Sequence, residues 1–112
     1  MAKTSQRLVG PTVLTASWGI ILTPPIRTQI THIHIVNADT VVRRFSMGAL
    51  AVLSNANYFK DTPVPPSGYD ASMPNYIDAY WTDWVMEPGD LLYGMADVVD
   101  VIQYTIFGRV GL

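Results

Sequence analysis

The chain contains no cysteine. This absence excludes disulfide bonds and thiolate metal sites, because both need the cysteine sulfur, and it leaves the compartment open. Charged residues are also scarce, at 14% of the 112 residues, against about 25% in an average soluble domain. Because a small domain needs polar residues to coat its large relative surface, we expect a partner subunit to cover part of it.

Basic residues are too few and too scattered to form a binding patch. Seven lysines and arginines oppose nine acidic residues, and the adjacent Arg43 and Arg44 point to opposite faces if they lie on a strand. We therefore expect no nucleic-acid partner. No apolar run approaches the ~20 residues of a membrane span, so we expect no membrane partner either. Pro11 and Thr12 interrupt the apolar part of the N-terminus, which argues against a signal peptide.

The apolar residues that are present follow the pattern of strands. β-branched and aromatic residues cluster in short segments separated by turn residues, and no long helical period is found. The predicted strands are Val13–Leu22, Gln29–Val36, Val41–Leu53, Ile77–Met86, Leu91–Ala96 and Val101–Val110. With six to eight strands, the expected fold is a single all-β domain over residues 1–112, an antiparallel two-sheet sandwich, with the jelly roll among its possible topologies.

Two turns are predicted from their chemistry. Asn37–Thr40 contains Asn and Asp, whose side chains hydrogen-bond their own backbone, and we expect it to join the flanking strands as a hairpin. Glu87–Asp90 reads Glu-Pro-Gly-Asp, in which proline sets φ at the second position and glycine supplies a positive φ at the third. This order predicts a type II turn.

Two segments are predicted to be irregular. Residues 1–10 read as a loose arm, and residues 54–77 read as a long loop with four prolines and one helical turn near Asn55–Lys60. The loop is rich in aromatic residues, which disordered segments lack, so we expect it to be ordered and to contact other proteins. The predicted contact residues are Tyr58, Phe59, Tyr69, Tyr76 and Trp84.

His32 and His34 are the strongest candidates for chemistry. On a strand they point to the same side, as a metal pair requires, but a site needs a third protein ligand. The nearest carboxylate in sequence is Asp39, which lies in the adjacent turn. We therefore favour a strand face carrying two partly exposed imidazoles, and we predict no catalytic, cofactor-binding or metal site. A metal-dependent enzyme built on the pair is the less favoured hypothesis.

A carbohydrate-binding module is a second alternative. Tryptophan and tyrosine rings can form a platform for sugars. Trp81 and Trp84 are three residues apart, so a regular strand would send them to opposite faces, one to the core and one outward. Asp78 and Asp83 do not form a candidate pair for acid–base catalysis, because they are five residues apart and would also face opposite sides of a strand.

Three segments resemble small β-sandwich structural proteins in the virions of tailed bacteriophages. They are Asn37 to Thr40, Tyr58 to Pro65 and Glu87 to Tyr93, and the similar order of strands and turns covers most of residues 12–112. In that family the last segment opens a late hairpin. The chain differs from the family pattern in its longer loop between Asp61 and Tyr76.

The resemblance implies a non-enzymatic virion protein. We expect it to decorate or stabilise the capsid through protein–protein contacts, as a homo-oligomer that also contacts other virion proteins such as the major capsid protein. A neck or collar component and a tail-fibre attachment are the alternatives that the same resemblance allows.

Overall fold

The computed structural model describes residues 5–50, 55–66 and 74–111, and the described part of the chain folds entirely into strands and their connections. The predicted all-β sandwich is confirmed, with eight strands in two antiparallel sheets of four. The strands are β1 (Gln6–Val13), β2 (Gly19–Leu22), β3 (Thr28–Asn37), β4 (Arg43–Leu50), β5 (Asn55–Val64), β6 (Tyr76–Met86), β7 (Leu91–Ala96) and β8 (Ile102–Val110).

The strand order is that of a jelly roll. The first sheet runs β1-β8-β3-β6 and the second runs β2-β7-β4-β5. Strands pair first with last, as in one long hairpin: β1 with β8, β2 with β7, β3 with β6 and β4 with β5. The hairpin then rolls up, which adds the ladders of β3 with β8 and of β4 with β7.

The core lies between the two sheets. Alternate residues of β3 and β8 from the first sheet meet alternate residues of β4 and β7 from the second. The largest fully buried side chains include Ile33, Ile35, Phe45, Met47 and Leu92. Each such side chain stabilises the fold by about 1.5–3 kcal/mol relative to leaving it in water.

Both segments predicted to be irregular contain strands, so these predictions are wrong in part. Residues 6–10 belong to β1, and residues 55–64 form β5 in place of the expected helical turn. Pro63, one of the prolines that suggested a loop, lies on β5, and Pro11 lies on β1; both strands are edge strands of their sheets. An edge strand tolerates proline because one of its sides has no ladder partner that needs the missing N–H.

The predicted hairpin around Asn37 is also wrong, because β3 and β4 lie in different sheets. The predicted turn chemistry is present, with Asn37 Oδ1 accepting from the Asp39 amide at 2.9 Å. The same side chain is fully buried, and its Nδ2 donates to the carbonyls of Val41 at 2.9 Å and Val64 at 3.0 Å. Asn37 therefore holds a connection that crosses from one sheet to the other. Turn residues in the sequence look the same for such a crossing and for a hairpin.

The type II turn at Glu87–Asp90 is confirmed. The Asp90 amide donates to the Glu87 carbonyl at 3.0 Å, and Gly89 has a φ of 96°. This turn joins β6 to β7, which lie in different sheets, so it also crosses the sandwich and does not open the hairpin seen in the family pattern.

Three connections meet at one end of the sandwich, which we call the loop end: residues 14–18, 38–42 and 97–101. Backbone hydrogen bonds tie them together, from Ala38 to the Val101 carbonyl at 2.8 Å and from Asp100 to the Leu14 carbonyl at 3.4 Å. The opposite end contains the start of β3, the connection of residues 23–27 that precedes it, and the turn at Glu87–Asp90.

Candidate functional site

The outer face of β3 carries both histidines because the strand contains a bulge. Ile30 is buried, and a regular alternation would bury His32 and His34 with it. Opposite Ile30 and His32, β8 supplies the adjacent residues Gly108 and Phe107, so Thr31 is an extra residue on β3. This bulge reverses the alternation, and Ile33 and Ile35 enter the core while the imidazoles face outward.

The neighbouring strand β6 adds a carboxylate to the pair. Asp78 lies directly across from His34 in the antiparallel ladder. Its Oδ1 lies 2.7 Å from His32 Nε2 and 2.6 Å from His34 Nδ1. We call these three residues the His-Asp cluster, and among the described residues it is the group whose donor atoms lie close enough to hold a metal ion.

Stacking holds the His32 ring from both sides. Tyr80 of β6 lies parallel to it with ring centroids 4.4 Å apart, and Phe107 of β8 lies 5.1 Å away on the other ladder. Both are direct cross-strand partners of His32. The His34 ring contacts Tyr76 in a tilted arrangement at 5.6 Å. The strand pairing therefore fixes the direction in which the His32 nitrogen points.

The cluster is partly open to solvent. The exposed fractions of the side chains of His32, His34 and Asp78 are 23%, 34% and 28%. Partial burial acts to raise the pKa of Asp78, but the hydrogen bonds and charges of the two histidines outweigh it, so the pKa lies below its ordinary value. The carboxylate is thus held in its charged form, which is also the form that binds a cation.

Asp39, the carboxylate nearest to the histidines in sequence, lies elsewhere. It pairs with Arg43, whose Nε lies 2.7 Å from Asp39 Oδ2. A hydrogen bond from the Thr40 backbone and another from Arg43 hold the pKa of Asp39 below its ordinary value. Asp78 and Tyr80 are two residues apart on a strand and therefore share a face, but the sequence does not show that this face lies beside His32 and His34.

The predicted contact residues have different environments. The side chain of Tyr58 and the whole of Tyr69 lie outside the part of the chain that the structure describes. Phe59 is half-buried and packs against Phe45 at 4.8 Å, whereas Tyr76 is exposed on β6. Trp84 is only 6% exposed and belongs to the core, so its burial does not support the prediction of a surface contact.

Both tryptophans of β6 face inward, which corrects the expectation that they leave opposite faces. Their rings meet edge to face at 4.8 Å, and Trp81 packs against the core that includes Trp84. The reason is a second irregularity: Ile30 and His32 of β3 pair with Trp84 and Tyr80, so Trp81, Thr82 and Asp83 together oppose only Thr31. A sugar platform made of these two tryptophans is therefore not formed.

Comparison with known proteins gives no match: no family model, no curated protein and no solved structure is similar to the chain. In the described ranges, no helix has the length and apolar character needed to cross a membrane.

Proposed function

We propose that this chain is a non-enzymatic structural protein that assembles with copies of itself and with other proteins of a phage virion, where it decorates or stabilises the capsid. The observation that carries the proposal is the apolar character of the loop end. Four large apolar side chains are exposed there: Trp18, Val41, Val42 and Val99.

These residues come from three connections that backbone hydrogen bonds hold together, so they belong to one region of the surface. Trp18 is 54% exposed and contributes the largest ring. Large apolar groups gathered at one end of a small, charge-poor domain are typical of a protein contact, because burying them removes apolar area from water. Aromatic residues are favoured in such contacts.

The setting in a virion is supported by the sequence resemblance of the segments at Asn37 and Tyr58 to phage structural proteins. The Glu87 segment shares the sequence pattern but differs from the family in joining two sheets. The jelly roll is also a fold that capsid proteins use, although the same fold serves lectins and other functions. In this proposal the loop end binds neighbouring copies or the major capsid protein, and it ties adjacent subunits of the shell together.

Light scattering after size exclusion tests the self-assembly. We expect a defined oligomer for the wild-type chain, and its dissociation when Trp18→Ser and Val42→Ser are combined. Ile26→Ser is the matched control, because Ile26 is an exposed apolar residue at the opposite end of the sandwich and its loss should leave the oligomer intact.

Two results would contradict the proposed assembly through the loop end. One is an oligomer that survives the double substitution while the Ile26→Ser variant dissociates. The other is a wild-type chain that stays monomeric and also fails to bind purified phage heads that lack their decoration proteins.

A further inference from the structure

We propose that the His-Asp cluster binds one divalent transition-metal ion of the kind that imidazole prefers, with Zn²⁺ as the probe, through His32 Nε2, His34 Nδ1 and one oxygen of Asp78. The site lies on the outer face of the first sheet, and it is separate from the loop end. The metal site does not depend on the proposed assembly.

The donor set fits such an ion. Two imidazole nitrogens and one carboxylate oxygen are ligands that zinc and its neighbours in the transition series take in proteins, whereas magnesium and calcium prefer oxygen alone. Three protein ligands leave a further position of the metal for water. The partial exposure of all three side chains keeps that position open to solvent.

The geometry converges on one point. Both imidazoles are directed at the same atom, Asp78 Oδ1, at 2.7 Å and 2.6 Å, and do not take one carboxylate oxygen each. In a tetrahedral site with bonds of about 2.0–2.2 Å, neighbouring donors lie about 3.4 Å apart, roughly 0.7 Å more than these contacts. Because the His32 ring is held between two rings, small rotations of the His34 and Asp78 side chains would supply that distance, and the metal would take the place of the hydrogens between the three ligand atoms.

The rings around the cluster prepare it for a ligand. His32 is held between Tyr80 and Phe107, with angles of 10° and 13° between the ring planes. A ring already fixed in direction loses little rotational freedom when its nitrogen binds a metal, which favours binding. The bulge at Thr31 has the same effect, since it turns both histidines to the face where Asp78 lies.

Calorimetric titration of the metal-free, full-length chain with ZnCl₂ tests the proposal. We expect one Zn²⁺ per chain, and a loss of affinity of at least roughly tenfold in each of His32→Gln, His34→Gln and Asp78→Asn, by analogy with the loss seen when groups supporting a metal are removed. Asp83→Asn is the matched control, because it removes an exposed carboxylate from the same strand and should leave the affinity unchanged.

Nuclear magnetic resonance of the histidine rings gives a second measurement that needs no variant. The chain has only two histidines, so it has two sets of imidazole signals. Both sets should change together and saturate at one equivalent of Zn²⁺. Co²⁺ in place of Zn²⁺ should give the intense visible absorption of a four-coordinate site.

Three results would overturn the proposal. They are the absence of saturable Zn²⁺ binding by the folded wild-type chain, an affinity equal in Asp78→Asn and wild type, and a stoichiometry of one Zn²⁺ per two chains with dimer formation. The last result would mean that the ligands come from two copies and not from the cluster of one chain.

Discussion

The ring of His32 lies almost parallel to the ring of Tyr80, with 10° between their planes and 4.4 Å between their centroids. The two residues face each other across the β3–β6 ladder, and Tyr80 is 71% exposed. An exposed aromatic residue of the edge strand β6 therefore fixes the direction of the His32 ring on the neighbouring strand β3.

Removing the Tyr80 ring should let the His32 ring change its direction, while the free energy of unfolding changes little. We expect Tyr80→Ala to lower the free energy of unfolding by only about 0.5 kcal/mol, the lower end for an aromatic pair, because the ring is largely in water already. The His32 ring protons should lose the ring-current shift from Tyr80, as measured by nuclear magnetic resonance. Tyr80→Phe keeps the ring and should preserve the shift, and an unchanged His32 spectrum in Tyr80→Ala would contradict the stack.

Substitution of Asn37 should lower the free energy of unfolding more than substitution of most other polar residues. Its buried Nδ2 donates to the buried carbonyl of Val64 and to the partly buried carbonyl of Val41, so Asn37→Ala leaves both acceptors without this donor, at about 1–3 kcal/mol of unfolding free energy. Asn37→Asp should cost more, since a carboxylate oxygen then faces those carbonyls. Urea denaturation measures both variants. Asn75→Ala, which removes one half-exposed donor, should cost less than either, and the reverse order would contradict this account.

Gly108 should not tolerate a side chain. It pairs with Ile30 beside the β3 bulge, and a Cβ atom there would overlap the Gln29 carbonyl oxygen and crowd Leu8. Since backbone has to shift to make room, we expect Gly108→Ala to lower the melting temperature through a loss of about 1–3 kcal/mol. Gly19→Ala is the control, because its Cβ would make only an ordinary contact with Thr15 Oγ1 at 3.5 Å. Equal melting temperatures for the two variants would rule out the predicted crowding.

The pKa of the Asp78 carboxyl group should lie below the ordinary value for aspartate. That ordinary value is about 3.9 in a free chain. Burial raises this pKa and the two histidines lower it by a larger amount, so His32→Ala combined with His34→Ala should raise the pKa of Asp78. Carbon-13 shifts of the carboxyl group measure the change, with Asp83 as the internal comparison. A pKa of Asp78 that does not move would mean that the histidines do not control it.

The lowered pKa also gives the direction of the pH dependence of stability. A group whose pKa falls on folding stabilises the native state above its unfolded pKa, and this contribution is lost as the pH falls through the folded pKa. Asp78 should therefore stabilise the wild-type fold above about pH 4 and lose that contribution in more acidic solution. Chemical denaturation at a series of pH values should show a shallower acid-side decline in Asp78→Asn, and identical profiles would contradict the assignment.

Much of the fold could be predicted from the sequence because its signals are local. β-branched residues and turn residues predicted the central strands, and the Glu-Pro-Gly-Asp order predicted the type II turn at Glu87–Asp90. The edge strand β5 was missed because proline in its segment also suits a loop. Nothing local distinguishes a turn that closes a hairpin from one that crosses between sheets, so the connection after Asn37 was assigned wrongly.

The sequence by itself indicated an all-β sandwich, since it contains several short β-branched and aromatic segments separated by turn residues and no long helical pattern. It also placed His32 and His34 on one face of one strand, since side chains two residues apart point to the same side. Only the tertiary structure decided which face the histidines occupy and what lies beside it. The bulge at Thr31 is a property of the paired strands, and the contact with Asp78 joins residues 44 and 46 positions apart in the chain. Such a juxtaposition is set by the order of strands in the sheet, which the period of a single strand does not contain.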